Sequence, residues 1–206
     1  MIHEKIIVNK ETIAHDIDIL PSGLTLEGVS EPHRDAICKI YKEAVRLSKI
    51  DGSELVADAV FDRLDAIPGI DIIEPRSFTD DLGYRCAEYV FGEIYGEGWA
   101  KQFITDNEPQ FWSSTVPFLV QHGYAPIEQP HQGDIVAYGG VYEDGRVWFG
   151  HFGVYAGSNK VVSKYGRGPI AIHDLPLIAK GDGRYDGHWG DYAWFFAKNT
   201  SNLPSL

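Results

Sequence analysis

Two residues of this chain are of the types that thiol chemistry requires, and each sits in a suitable local context. Cys86 begins Cys86-Ala87-Glu88-Tyr89-Val90, a helix-like run that follows Gly83-Tyr84-Arg85. His151 lies in an aromatic and β-branched stretch, between Gly150 and Phe152-Gly153-Val154. A cysteine in the first turn of a helix sees the positive end of the helix dipole, which favours thiolate. A strand-borne histidine can take the thiol proton and later deliver it to a leaving group. Thiol hydrolysis also needs a group that orients the imidazole and donors that stabilise an oxyanion. The backbone N–H of Cys86 and the side chain of Tyr84 are the candidates for the oxyanion. If the pair forms, the Cys86 sulfur should lie within about 3–5 Å of a His151 ring nitrogen.

The elements that must position these residues are legible as runs and breaks. Residues 135–138, 147–155 and 161–163 read as three strands, with Gly157-Ser158-Asn159 turning the second into the third. Further strands are expected at 170–172, which leads to His173, and at 192–197. A glycine-rich loop covers 181–190. The Cys86 helix runs to about Tyr95 and stops at Gly96, with Val90 and Ile94 on the same face as Cys86. Another helix is expected from about 114 to 122.

The N-terminal part reads differently. Pro21-Ser22-Gly23 predicts a β-hairpin within 5–29. Ser30-Glu31-Pro32 starts a helix. Its apolar face carries Ile37, Ile40, Tyr41, Ala44 and Leu47, and Cys38 lies beside that stripe as a small core residue. A second helix is expected over 53–66, stopped by Pro68-Gly69. Residues 70–82 read as a linker. The expected division is therefore a small hairpin and two-helix unit over 1–76 and a second domain over 77–206.

The segments 133–138 (GDIVAY), 151–157 (HFGVYAG) and 160–163 (KVVS) resemble the second half of NlpC/CHAP-type papain-like hydrolases, where such segments surround the catalytic histidine. Cys86-Ala87-Glu88-Tyr89-Val90 is similar to that family's cysteine helix. The resemblance covers roughly 80–199. It implies an α+β fold, a papain-like (NlpC-type) antiparallel sheet with packed helices. It implies a cysteine hydrolase acting on an amide bond, often in the peptide stem of bacterial cell wall, with Cys86 as nucleophile and His151 as base and acid. The family's orienting residue, a His, Asn or Gln about twelve positions after the histidine, falls here on Ser163, which adds no charge. His173 is the alternative orienter. Lys164, next to Ser163, would lower the imidazole pKa if it faced the ring. The resemblance implies no metal and no organic cofactor.

Bulk properties narrow the partners. The 206 residues hold 18 Lys and Arg against 30 Asp and Glu, for a net charge of −12. That balance argues against nucleic acid and against anionic membrane, both of which need clustered cations. No run of about 18 apolar residues exists to span a bilayer. No signal peptide is recognisable, so the cytoplasm is the default address, with leaderless export as the alternative. Cys38 and Cys86 give no disulfide framework and no zinc pattern. Asp182, Asp186, His188 and Asp191 lack ligand spacing and read as a solvated turn. The rival readings are a catalytically silent binding module on the same fold and a deamidase or acyltransferase-type effector.

Overall fold

The computed structural model describes residues 20, 23–26, 28–47, 54–74, 86–95, 116, 119–120, 122–142, 145, 147–166, 168–180 and 189–198. It is an α+β arrangement around one antiparallel sheet. The strands are β1 (Leu24–Thr25), β2 (Ile70–Glu74), β3 (Tyr124–Ile127), β4 (Ile135–Val141), β5 (Val147–Gly157), β6 (Lys160–Lys164), β7 (Ile170–Asp174) and β8 (Tyr192–Lys198). The helices are α1 (Glu31–Leu47), α2 (Glu54–Phe61), which runs on into a 3-10 turn (Asp62–Ala66), and α3 (Cys86–Tyr95). The strand order is β1-β8-β4-β5-β6-β7-β2, and β3 also pairs with β8. No described helix is long and apolar enough to cross a membrane.

Strand alternation sorts the sheet into two faces. Val136, Tyr138, Val161, Ala171, Ala193 and Phe195 pack with Ile37, Cys38, Ile40 and Ala44 of α1 and with Phe61 and Leu64. Ile135, Ala137, Phe149, Phe152, Trp194 and Phe196 pack on the other side with Cys86, Ala87, Val90 and Phe91 of α3. A bulge in the β4–β5 pair controls which residue goes where. Tyr138 pairs with His151 but Gly139 pairs with Phe149, so Gly150 is the extra residue. Phe149 and Phe152, an odd number apart, therefore both face α3, and the intervening His151 faces the α1 side with Tyr138.

Three expectations need correcting. Residues 70–74 are not linker: Ile70–Glu74 is the edge strand β2, registered on β7 with Ile70 opposite His173. A short apolar run before Pro75 offered no hint of its distant partner. The division at 76 does not separate two cores, because β1 and β2 belong to the same sheet and α1 shares its core. Strand β3, which contains Pro126, was not anticipated. A proline is tolerated at such a short flanking strand. The hairpin expected within 5–29 falls mostly outside the described residues, and Leu24–Thr25 pairs with β8.

Candidate active site

The β5–β6 hairpin and β7 bring His151, Ser163 and His173 into one row on the α1 face. His151 Nε2 lies 3.0 Å from Ser163 Oγ. Ser163 Oγ lies 2.9 Å from His173 Nε2. His173 Nδ1 lies 2.8 Å from the carbonyl oxygen of Asp174. The register accounts for the row. Val161 pairs with His173 and Ser163 with Ala171, so the serine and the second histidine are diagonal neighbours on one face. Ser163 and His173, read from the sequence as alternatives, are thus joined in series.

All three side chains are fully buried. The His151 ring stacks on Trp189 at 4.1 Å between centroids and an interplanar angle of 9°. Tyr138 and Tyr165 flank it at 5.6 and 6.2 Å. Burial disfavours the imidazolium, so the His151 pKa falls well below the ordinary histidine range, with His173 lowering it further. Burial also lowers His173, to about 4, although the Asp174 carbonyl and carboxylate oppose the shift. Both rings are neutral at pH 7. His151 Nδ1 is buried and has no hydrogen-bond partner.

The thiol expected at that nitrogen is elsewhere. Cys86 does begin α3, as expected, but it is 4 % exposed and packed in the cluster on the opposite face from His151. Phe91 of the same helix meets Phe152, the neighbour of His151 that points the other way. The Cys86–His151 hydrogen bond is absent, since Nε2 is engaged by Ser163 and Nδ1 by nothing. Cys38 is the cysteine in the cluster that shares the His151 face. Tyr84 lies outside the described residues. Lys164 alternates away from Ser163, and its Nζ donates to the carbonyl of Gly168 at 2.9 Å.

The ring is covered by a clamp that the sequence reading missed. Tyr41 of α1 meets the Trp189 ring edge-on at 5.2 Å. Arg34, fully buried one turn before Cys38, donates to the carbonyls of Leu26 at 2.9 Å, Ile178 at 3.4 Å and Gly190, and to Asp191 Oδ1 at 3.2 Å. Its signal was present: Arg34 stands three residues before Ile37, on the apolar stripe of the helix. Nothing in the local sequence marked Trp189. Beside this region a cavity of about 560 Å³ opens on the α1 face, with Tyr155, Leu175, Phe195, Ile127 and Glu128 among its walls. Leu175 links it to the site, because its carbonyl accepts from Tyr138 Oη at 3.0 Å.

Among the described residues no group of three or more acidic, Cys or His side chains could hold a metal. Of the acidic loop set, Asp182, Asp186 and His188 lie outside those residues, and Asp191 is paired with Arg34. Comparison with protein-family models, curated proteins and solved structures gives no match, so the functional reading rests on residues and geometry.

Proposed function

We propose that this chain is a thiol hydrolase of an amide or related acyl bond, and that the arrangement with Cys86 and His151 on opposite faces of the sheet is its latent form. One observation carries the reading: the His151 ring has Nε2 held by Ser163 and Nδ1 buried without a partner. An unpaired buried polar atom costs roughly 1–3 kcal/mol. A base that awaits a proton donor accounts for a ring kept in that state. In the working form Cys86 gives its proton to Nδ1 and attacks the carbonyl carbon. His151 then protonates the departing amine, and water releases the acyl group from sulfur. This requires Cys86 to leave the cluster behind the sheet and the Trp189 clamp to lift. The substrate class is a peptide or other amide, with cell-wall stem peptides the first to test, and the chemistry needs no cofactor. A deamidase or acyltransferase outcome would use the same residues.

One observation favours a second reading, a catalytically silent binding module: Cys86 and His151 pack on opposite faces of the sheet. A panel of peptide amides, cell-wall stem peptides included, separates the two. Turnover by the full chain is expected to vanish in Cys86→Ala and His151→Ala and to persist in Cys38→Ala. Limiting iodoacetamide should label Cys86 ahead of Cys38. No turnover by the unaltered chain, with both thiols protected until denaturation, would establish the silent module. Turnover lost in Cys38→Ala and kept in Cys86→Ala would transfer the nucleophile to the thiol on the His151 face.

A further inference from the structure

The His151–Ser163–His173 row has a direction. The Asp174 carbonyl can only accept, so His173 Nδ1, 2.8 Å away, carries the proton. A neutral His173 then has a bare Nε2, which can only accept. Ser163 must therefore point its O–H at His173 Nε2, 2.9 Å away. The remaining contact, His151 Nε2 to Ser163 Oγ at 3.0 Å, leaves the serine oxygen as acceptor, so His151 carries its proton on Nε2. Its Nδ1 is then a lone pair and not an N–H. Every link follows from the one before it, and the chain is anchored on a backbone carbonyl that cannot reverse its role.

From this we infer that His173 is a positioning residue that acts through Ser163 to set the tautomer of His151 and so keep a basic lone pair at Nδ1. Without His173, the Ser163 hydroxyl has no acceptor beyond it and is free to donate to His151 Nε2. The proton of His151 then moves to Nδ1, and the nitrogen left over for chemistry is no longer a base. Ser163 alone, a neutral hydroxyl that can donate or accept, cannot choose between these states. This inference deepens the hydrolase reading, but its test does not depend on turnover.

Ring-nitrogen NMR of the full chain labelled with ¹⁵N-histidine at neutral pH distinguishes protonated from bare nitrogens. His151→Gln and His173→Gln supply the assignments. The unaltered chain should show a bare Nδ1 and protonated Nε2 at His151, with the reverse at His173. His173→Leu should move His151 to the Nδ1–H form or a mixture of the two. His173→Gln, whose side-chain carbonyl can accept from Ser163, should restore the Nε2–H form. A His151 that is Nδ1–H in the unaltered chain would overturn the inference, as would an unchanged His151 tautomer in His173→Leu. If the leucine variant fails to fold, the spectrum of the unaltered chain still decides the direction of the row. The expected tautomers together with no hydrolysis would leave the wiring intact and remove only the hydrolase reading.

Discussion

Replacing Arg34 with alanine is expected to destabilise the fold by about 3–5 kcal/mol, the range for breaking a buried charged network from one side. The guanidinium is fully buried and reaches four acceptors on three separate stretches, around Leu26, Ile178 and 190–191. Burial alone would disfavour its charge, and Asp191 opposes that effect. Removing the side chain takes this donor from the buried carbonyls of Ile178 and Gly190 and leaves Leu26 with only the Val29 N–H, around the space it filled. A lysine at 34 offers one nitrogen where the planar fork serves several acceptors, so it should recover only part of the loss. Arg63 provides the contrast. It pairs with Glu43 at 2.7 Å, but both side chains are about half exposed, so Arg63→Ala should cost at most about 1 kcal/mol. Urea unfolding of the three variants checks both expectations. An Arg34→Ala variant within 1 kcal/mol of the unaltered chain would show that these contacts do not hold the clamp.

The second large effect is a loss of stability in mild acid. His151 and His173 both have folded-state pKa values lowered by burial, His173 to about 4, against an ordinary value of 6.5. Between those values the unfolded chain binds protons that the folded chain refuses. The stabilisation from neutral burial is therefore complete above pH 6.5 and is lost as pH falls toward 4. Each ring that stays neutral contributes a slope of about 1.4 kcal/mol per pH unit, so His173 alone accounts for about 3 kcal/mol across that window. The urea midpoint should drop steeply between pH 7 and pH 5. His173→Gln should flatten the drop, because glutamine does not titrate. A midpoint that stays constant from pH 7 to pH 5 would mean that both rings take up protons in the fold as they do in the unfolded chain.

Local features carried much of the sheet. Gly133-Asp134 and Gly157-Ser158-Asn159 punctuate β4, β5 and β6 closely, because turns are set by residues a few positions apart. The spacing that pointed from His151 to Ser163 corresponds to a real contact, since one hairpin joins them. What failed to show was non-local. Whether Ser163 and His173 compete or connect depends on the β6–β7 register, which no spacing states. The side of the sheet on which the Cys86 helix packs depends on the Gly150 bulge and on Phe149 and Phe152 together facing Phe91. An amphipathic pattern shows that a helix has a buried face, not which layer receives it. The edge role of Ile70–Glu74 was hidden for the same reason, since its partner lies far along the chain.

The position of β8 has a consequence for how the protein is made. It is the last strand in chain order among those described, yet it sits inside the sheet, between β4 on one side and β1 and β3 on the other. During synthesis every earlier strand is available before it. Until Tyr192–Lys198 leaves the ribosome, the edge of β4 over Ile135–Gly139 is open, and among the described strands β1 and β3 lack the partner they pair with. An open apolar edge of this kind recruits other chains. Nascent chains stalled before residue 192 should therefore depend on chaperones and aggregate when released, whereas a stall after residue 198 should release a chain able to close its sheet.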